Sequence, residues 1–184
     1  MPHLHRPLAD DALQQAAASY GVGSEWKLPV GVFSGSVPAD ATGTTKAADA
    51  IGQGKVLMSP AALALVAAGI AGGKPAAPVE VVGGPAAGTA PSGPSQQVLD
   101  ALRPMMREVV QTGTAKLLAG RPNVYGKTGT AEFGDATPPQ AHGWFMGYQL
   151  GGPQGDIAFA VLVEGGNTST AAVKVTDALL GALG

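Results

Sequence analysis

The chain has 184 residues, a net charge of -2, and 45% hydrophobic against 13% charged residues. That length suits one domain or a large piece of one, and the apolar content is enough for a core. Near-neutral charge gives no basic field, which excludes nucleic acid as an expected partner. The absence of cysteine excludes disulfides and thiolate metal sites.

Residues 1–8, MPHLHRPL, read as a disordered start, and no apolar run stands behind a basic segment as a signal peptide requires. Ala9 to Tyr20 predicts a helix, with Asp10 and Asp11 in its first turn and Gly21 as its stop. From Val22 to Thr45, Gly, Pro, Ser and Thr dominate without a period, which predicts a long ordered loop. Ser59 and Pro60 then mark a helix start, and Gly72-Gly73 its end. The helix between, about Pro60 to Ala71, is apolar nearly all round and predicts a central core helix. Its apolar stretch is too short to cross a bilayer.

Val79 to Val82 predicts a short strand, and Gly83 to Gly93 an exposed loop. Ser95 caps a further helix through Val110, with Pro104 expected to kink or interrupt it. The pair Arg103 and Arg107 reads as its solvated face. Three strands follow, Val124 to Phe133, Gly143 to Gln149 and Ile157 to Val163, with short breaks that favour an antiparallel meander. A last helix, about Thr170 to Leu183, carries Ala172, Val175, Leu179 and Leu183 toward the sheet. The fold class is α+β: helices, then a three-stranded antiparallel sheet, then a closing helix.

The chemistry concentrates in Lys127-Thr128-Gly129-Thr130. Strand alternation puts the Thr128 and Thr130 hydroxyls on one side, spaced to bind both oxygens of a carboxylate. Lys127 adds positive charge, and Gly129 lets a ligand backbone lie against the strand. On an edge strand, free backbone groups can pair with an extended peptide and face a developing oxyanion. Glu132, two residues on, reads as solvent-facing. Trp144, Phe145 and Tyr148 read as packing residues, and Gln53 as part of a tight turn that could line a cleft. His3, His5 and His142 lack carboxylates at ligand spacing, so neither metal nor cofactor is expected.

K-T-G is the third signature of serine penicillin-binding proteins and related β-lactamases. Here it extends to GKTGTAEF, follows IGQGKVLMSPAALALVAAGIAGGK, and precedes HGWFMGY and IAFAVLVEGG. These blocks, in this order, resemble the C-terminal half of class B penicillin-binding protein transpeptidase domains. The likeness covers roughly residues 9 to 183, and the Ala/Gly-rich flavour is similar to the actinobacterial penicillin-binding protein A group.

The resemblance implies that Thr128 and Thr130 bind the carboxylate of a D-Ala-D-Ala stem peptide or of a β-lactam. Lys127 would set the local electrostatics, the Thr130 N–H would form half of an oxyanion hole, and Gly129 would give clearance. It implies a D,D-transpeptidase acting in peptidoglycan cross-linking, extracytoplasmic and membrane-anchored in the full-length parent, with this chain itself soluble. It also implies a five-stranded sheet whose first two strands and nucleophile precede this region.

No S-x-N occurs in the sequence, and its one S-x-x-K string is Ser24-Glu25-Trp26-Lys27. Gly21, Gly23 and Pro29 around that string predict a loop rather than the helix start such a nucleophile needs. All 184 residues therefore read as the C-terminal portion of one transpeptidase domain. It is expected to lack a nucleophile, to be inactive alone, and to complement the missing N-terminal part. An exposed strand edge and bare apolar helix surface predict self-association or domain swapping. A serine β-lactamase or β-lactam sensor fragment, and a non-catalytic peptide-binding module, remain as alternatives.

Overall fold

The computed structural model describes residues 9–75 and 77–184; the expected disordered start, with His3 and His5, lies outside them. Five α-helices, α1 (Ala12–Ser19), α2 (Gly43–Ala50), α3 (Pro60–Gly72), α4 (Gln96–Gln111) and α5 (Ser169–Ala182), accompany three strands, β1 (Val124–Phe133), β2 (Gln140–Gly152) and β3 (Gly155–Val163). The strands form an antiparallel sheet in the order β1-β2-β3, so among the described residues one edge of β1 has no strand partner. The α+β meander with a closing helix is the expected fold.

The sheet divides the molecule into three layers. On one face, Val124, Phe145 and Phe159 pack with Ala172, Val173 and Leu180 of α5 and with Val110, Ala115 and Leu118. On the other, Tyr148 packs with Ile70 of α3 and Leu99 and Met106 of α4, joined by Tyr125 and Met146. Strand alternation dictates this split: Val124 and Tyr125 are neighbours in sequence yet serve opposite layers.

Local signals explain the helix ends. The Ser59 hydroxyl accepts the Ala62 N–H, Pro60 opens α3, and Gly73 closes it at φ +83°. Ser95 likewise accepts from Val98 at the start of α4. The helix continues through Pro104 without a break. Arg103 and Arg107 are not merely a solvated face. Arg103 donates to the Ile70 carbonyl at 2.7 Å and 3.0 Å and to Ala71 at 3.2 Å, capping α3, while Arg107 donates to the Val124 carbonyl at 2.7 Å.

Four expectations need correction. Val79 to Val82 is not a strand; Val81 and Val82 lie in a turn and are exposed, with no neighbouring strand to pair them. The expected long loop stops short of Thr45, because α2 begins at Gly43; its Lys46 binds Asp10 at 3.0 Å. The buried face of α5 is Ala172, Val173, Thr176 and Leu180, while Val175 and Leu179 are exposed. Thr176 can face the core because its hydroxyl donates to the Ala172 carbonyl at 2.9 Å. β2 and β3 also run longer than their apolar runs, because Phe133 and Gly155 supply partners for Gln140 and Gly152.

Candidate functional site

Residues 127 to 130 occupy the middle of β1, opposite Met146, Phe145, Trp144 and Gly143 of β2. Register fixes their directions. Lys127 and Gly129 share a face with Met146 and Trp144, and Thr128 and Thr130 share the opposite face with Phe145 and Gly143. The two threonines are therefore on one side, as the alternation predicts, and Lys127 meets them only around the free edge. Its ammonium bends back to that edge and donates to the Thr128 carbonyl at 2.6 Å.

The two hydroxyls differ in setting. Thr128 is buried, and its hydroxyl shares a 2.6 Å hydrogen bond with that of Thr114. Thr130 is exposed. Its carbonyl accepts a hydrogen bond from the Gln53 side-chain amide at 2.6 Å. In an antiparallel strand the N–H and C=O of one residue point the same way. The Thr130 N–H therefore also faces the free edge, away from β2.

A cleft of about 540 Å³ opens along this edge, lined on the sheet side by residues 127–132, His142, Trp144 and Met146. The opposite wall is the segment 51–58 with Leu63 of α3. That wall is held by a turn after α2. The buried Asp49 carboxylate accepts the Lys55 N–H at 2.7 Å, and the Ala48 carbonyl accepts the Gln53 N–H at 3.0 Å. Gly52 and Gly54 adopt φ +79° and +67°, conformations that L side chains rarely take. The turn aims Gln53 at β1.

Gly129 leaves the cleft floor open, with a methyl group there meeting Trp144 Cβ at 3.3 Å. Trp144 lines the cleft rather than serving only as packing, whereas Phe145 and Tyr148 are buried core residues. His142 stacks on Phe133 at 4.1 Å and accepts the Gly165 N–H on Nδ1 at 3.2 Å, which seats it at the cleft end. Glu132 is exposed along the same rim. Among the described residues, no cluster of His, Cys, Asp or Glu could hold a metal ion, and no helix is long and apolar enough to cross a membrane.

Ser24 to Lys27 lies in coil between a turn and a bend, outside any helix. The Lys27 N–H donates to the Ala87 carbonyl at 2.9 Å. Sequence reasoning missed Thr114, because a threonine in Thr112-Gly113-Thr114 reads only as a helix end. It also left Gln53 undecided, since two flanking glycines signal a turn without saying what the turn faces.

The chain is similar to several solved structures. The solved structure of penicillin-binding protein A from Mycobacterium tuberculosis, an imipenem acyl-enzyme complex, is 28% identical with a TM-score of 0.74, over 94% of this chain and 41% of that one. A chain from a peptidoglycan synthase complex that coordinates polymerization and crosslinking is 28% identical with a TM-score of 0.71, over 95% of this chain and 33% of that one. Penicillin-binding protein 2B from Streptococcus pneumoniae, at 20% identity and a TM-score of 0.71, shares the fold over 100% of this chain and 34% of its own. This chain thus spans a third to less than half of the length of each. No curated protein matches it. The family model of the penicillin binding protein transpeptidase domain matches residues 1–183, and the chain belongs to that family.

Proposed function

We propose that β1 is the substrate-holding edge of a peptidoglycan D,D-transpeptidase, and that residues outside this chain supply the serine nucleophile. The carrying observation is the free edge of β1, where the Thr128 and Thr130 carbonyls point outward over a cleft of about 540 Å³. An extended stem peptide ending in D-Ala-D-Ala pairs with that edge as an added strand. The Thr130 hydroxyl, with Lys127 beside it, receives the terminal carboxylate, and the Thr130 N–H faces the oxygen of the attacked carbonyl. Thr128 contributes its hydroxyl once it exchanges Thr114 for the ligand. Gly129 keeps the floor low enough for the peptide backbone. A β-lactam, carrying a carboxylate and an amide in similar positions, fits the same edge. In the parent protein the serine hydroxyl attacks the carbonyl between the two D-Ala residues, the amide breaks and the terminal D-Ala leaves as its amine; another peptide's amine then attacks the acyl-serine ester and returns the free hydroxyl.

For this chain alone, the reading is binding without acylation. Ser24 and Lys27 lie in coil, where no helix turn aligns amine and hydroxyl. Intact-mass measurement after incubation with benzylpenicillin is expected to give unmodified protein, and an adduct on Ser24 would overturn that. Binding of a D-Ala-D-Ala peptide should be saturable, non-covalent and lost in Thr130→Val, with the fold retained because Thr130 is exposed. Membrane anchoring and the extracytoplasmic setting belong to the proposed parent, together with completion of the domain by its N-terminal part.

A further inference from the structure

The free edge of β1 is already engaged by a side chain within the cleft. Gln53 and Thr130 are 77 residues apart in sequence, yet Nε2 of one donates to the carbonyl of the other at 2.6 Å. This is the carbonyl that a peptide N–H must reach if a ligand adds as a strand. We propose that Gln53 is the gate of this edge, a side-chain amide standing where a ligand amide will stand and exchanged for it on binding. The inference rests on the reading of β1 as a peptide-holding edge and adds to it the residue that sets the cost of entry.

The construction around Gln53 suits exchange. The turn is fixed through its backbone by Asp49 and Ala48, and by two glycines with positive φ. No part of that fixing uses the Gln53 side chain. Rotation about its side-chain bonds releases Thr130 while the turn keeps its shape. A tether made of backbone would require the turn itself to unfold. A glutamine amide also matches the peptide N–H in donor type, so the edge is hydrogen-bonded in both states and never left bare. The exchange is nearly neutral in hydrogen bonds, and its net effect is competition. Affinity for an extended amide ligand falls by the factor with which Gln53 holds the edge.

The test uses the 184-residue chain and diacetyl-L-Lys-D-Ala-D-Ala. In ¹H–¹⁵N spectra, the Gln53 side-chain NH₂ peaks should move as the peptide saturates, together with the Thr130 amide. Gln53→Met, similar in length without a donor, and Gln53→Ala should each bind the peptide roughly three- to tenfold tighter, the range of one net hydrogen bond. Retained dispersion of the Thr130 peak reports that each variant is folded. Shifts at Thr130 with unmoved Gln53 peaks would sink the gate and leave the peptide edge standing, as would unchanged or weaker binding in both variants. No ligand-dependent shift at Thr128 to Thr130 in any of the chains would sink the peptide edge and the gate with it.

Discussion

At the scale of single residues, Thr114 and Thr128 form a pair whose worth depends on both members. Each hydroxyl has the other as partner at 2.6 Å, and Thr128 is buried. Thr114→Val leaves the buried Thr128 hydroxyl unsatisfied and should cost about 1–2 kcal/mol in denaturant unfolding. The double variant Thr114→Val, Thr128→Val should recover much of that, since removing both partners is close to neutral. Tyr148 is the opposite case, a buried phenol beside the Arg103 guanidinium whose oxygen meets no partner in regular hydrogen-bond geometry among the described residues. Burial pushes it up to about 12 from 10.0, with the Arg103 guanidinium opposing. The fold thus favours the protonated phenol. Its contribution is intact below the unfolded value near 10 and is lost as pH climbs toward about 12. Melting temperature should fall across that window, and Tyr148→Phe should flatten the fall; Tyr20, also raised by burial, acts in the same direction. None of these pairings is legible in sequence. A hydroxyl's partner depends on which loop the fold brings beside it, and Thr114 and Gln53 reach β1 only through tertiary packing.

At the scale of elements, the legible ones carried two agreeing signals. α3 has a capping serine, a proline at its first position and a glycine stop, and the strands have β-branched and aromatic runs bounded by turns. α2 has neither: Gly43-Thr44-Thr45 are weak helix formers, and no apolar stripe runs through Ala47-Ala48-Asp49. It stands beside Asp10 through Lys46 and holds the following turn through Asp49. The face of α5 was misread by about one position because Thr176 occupies the core and conceals the stripe. Val79 to Val82 fails as a strand for the converse reason, since β propensity without a partner strand makes no sheet. Pro104 sits exposed inside α4 and supplies no N–H to the ladder. Pro104→Ala should raise stability by about 1–3 kcal/mol in thermal unfolding. A fall instead would mean that the rigidity of the proline ring is worth more to α4 than the missing N–H.

At the scale of the whole molecule, the sheet ends at β1, and Leu63, Leu65 and Val66 of α3 are only half-buried. Apolar surface on one helix beside an open strand edge is adhesive. Sedimentation velocity of the chain over a hundredfold concentration range should show mass increasing with concentration; a constant monomer would mean that Gln53 and Lys127 suffice to blunt the edge. Glycine seams mark where this architecture tolerates least. At Gly143 a methyl group would fall inside contact distance of the Thr168 carbonyl oxygen, backbone that cannot turn aside. Gly143→Ala should therefore cost several times what Gly129→Ala costs, the latter meeting only Trp144 Cβ at 3.3 Å.

The two arginines of α4 join parts that otherwise belong to different sides of the cleft. Arg103 grips the end of α3, whose other end forms one wall, and Arg107 grips the first residue of β1, which forms the other. Their spacing is one helical turn, set by the rigid pitch of α4. The helix therefore works as a spacer: through two side chains it fixes the distance between elements that wall the cleft, while neither arginine lines the cleft itself.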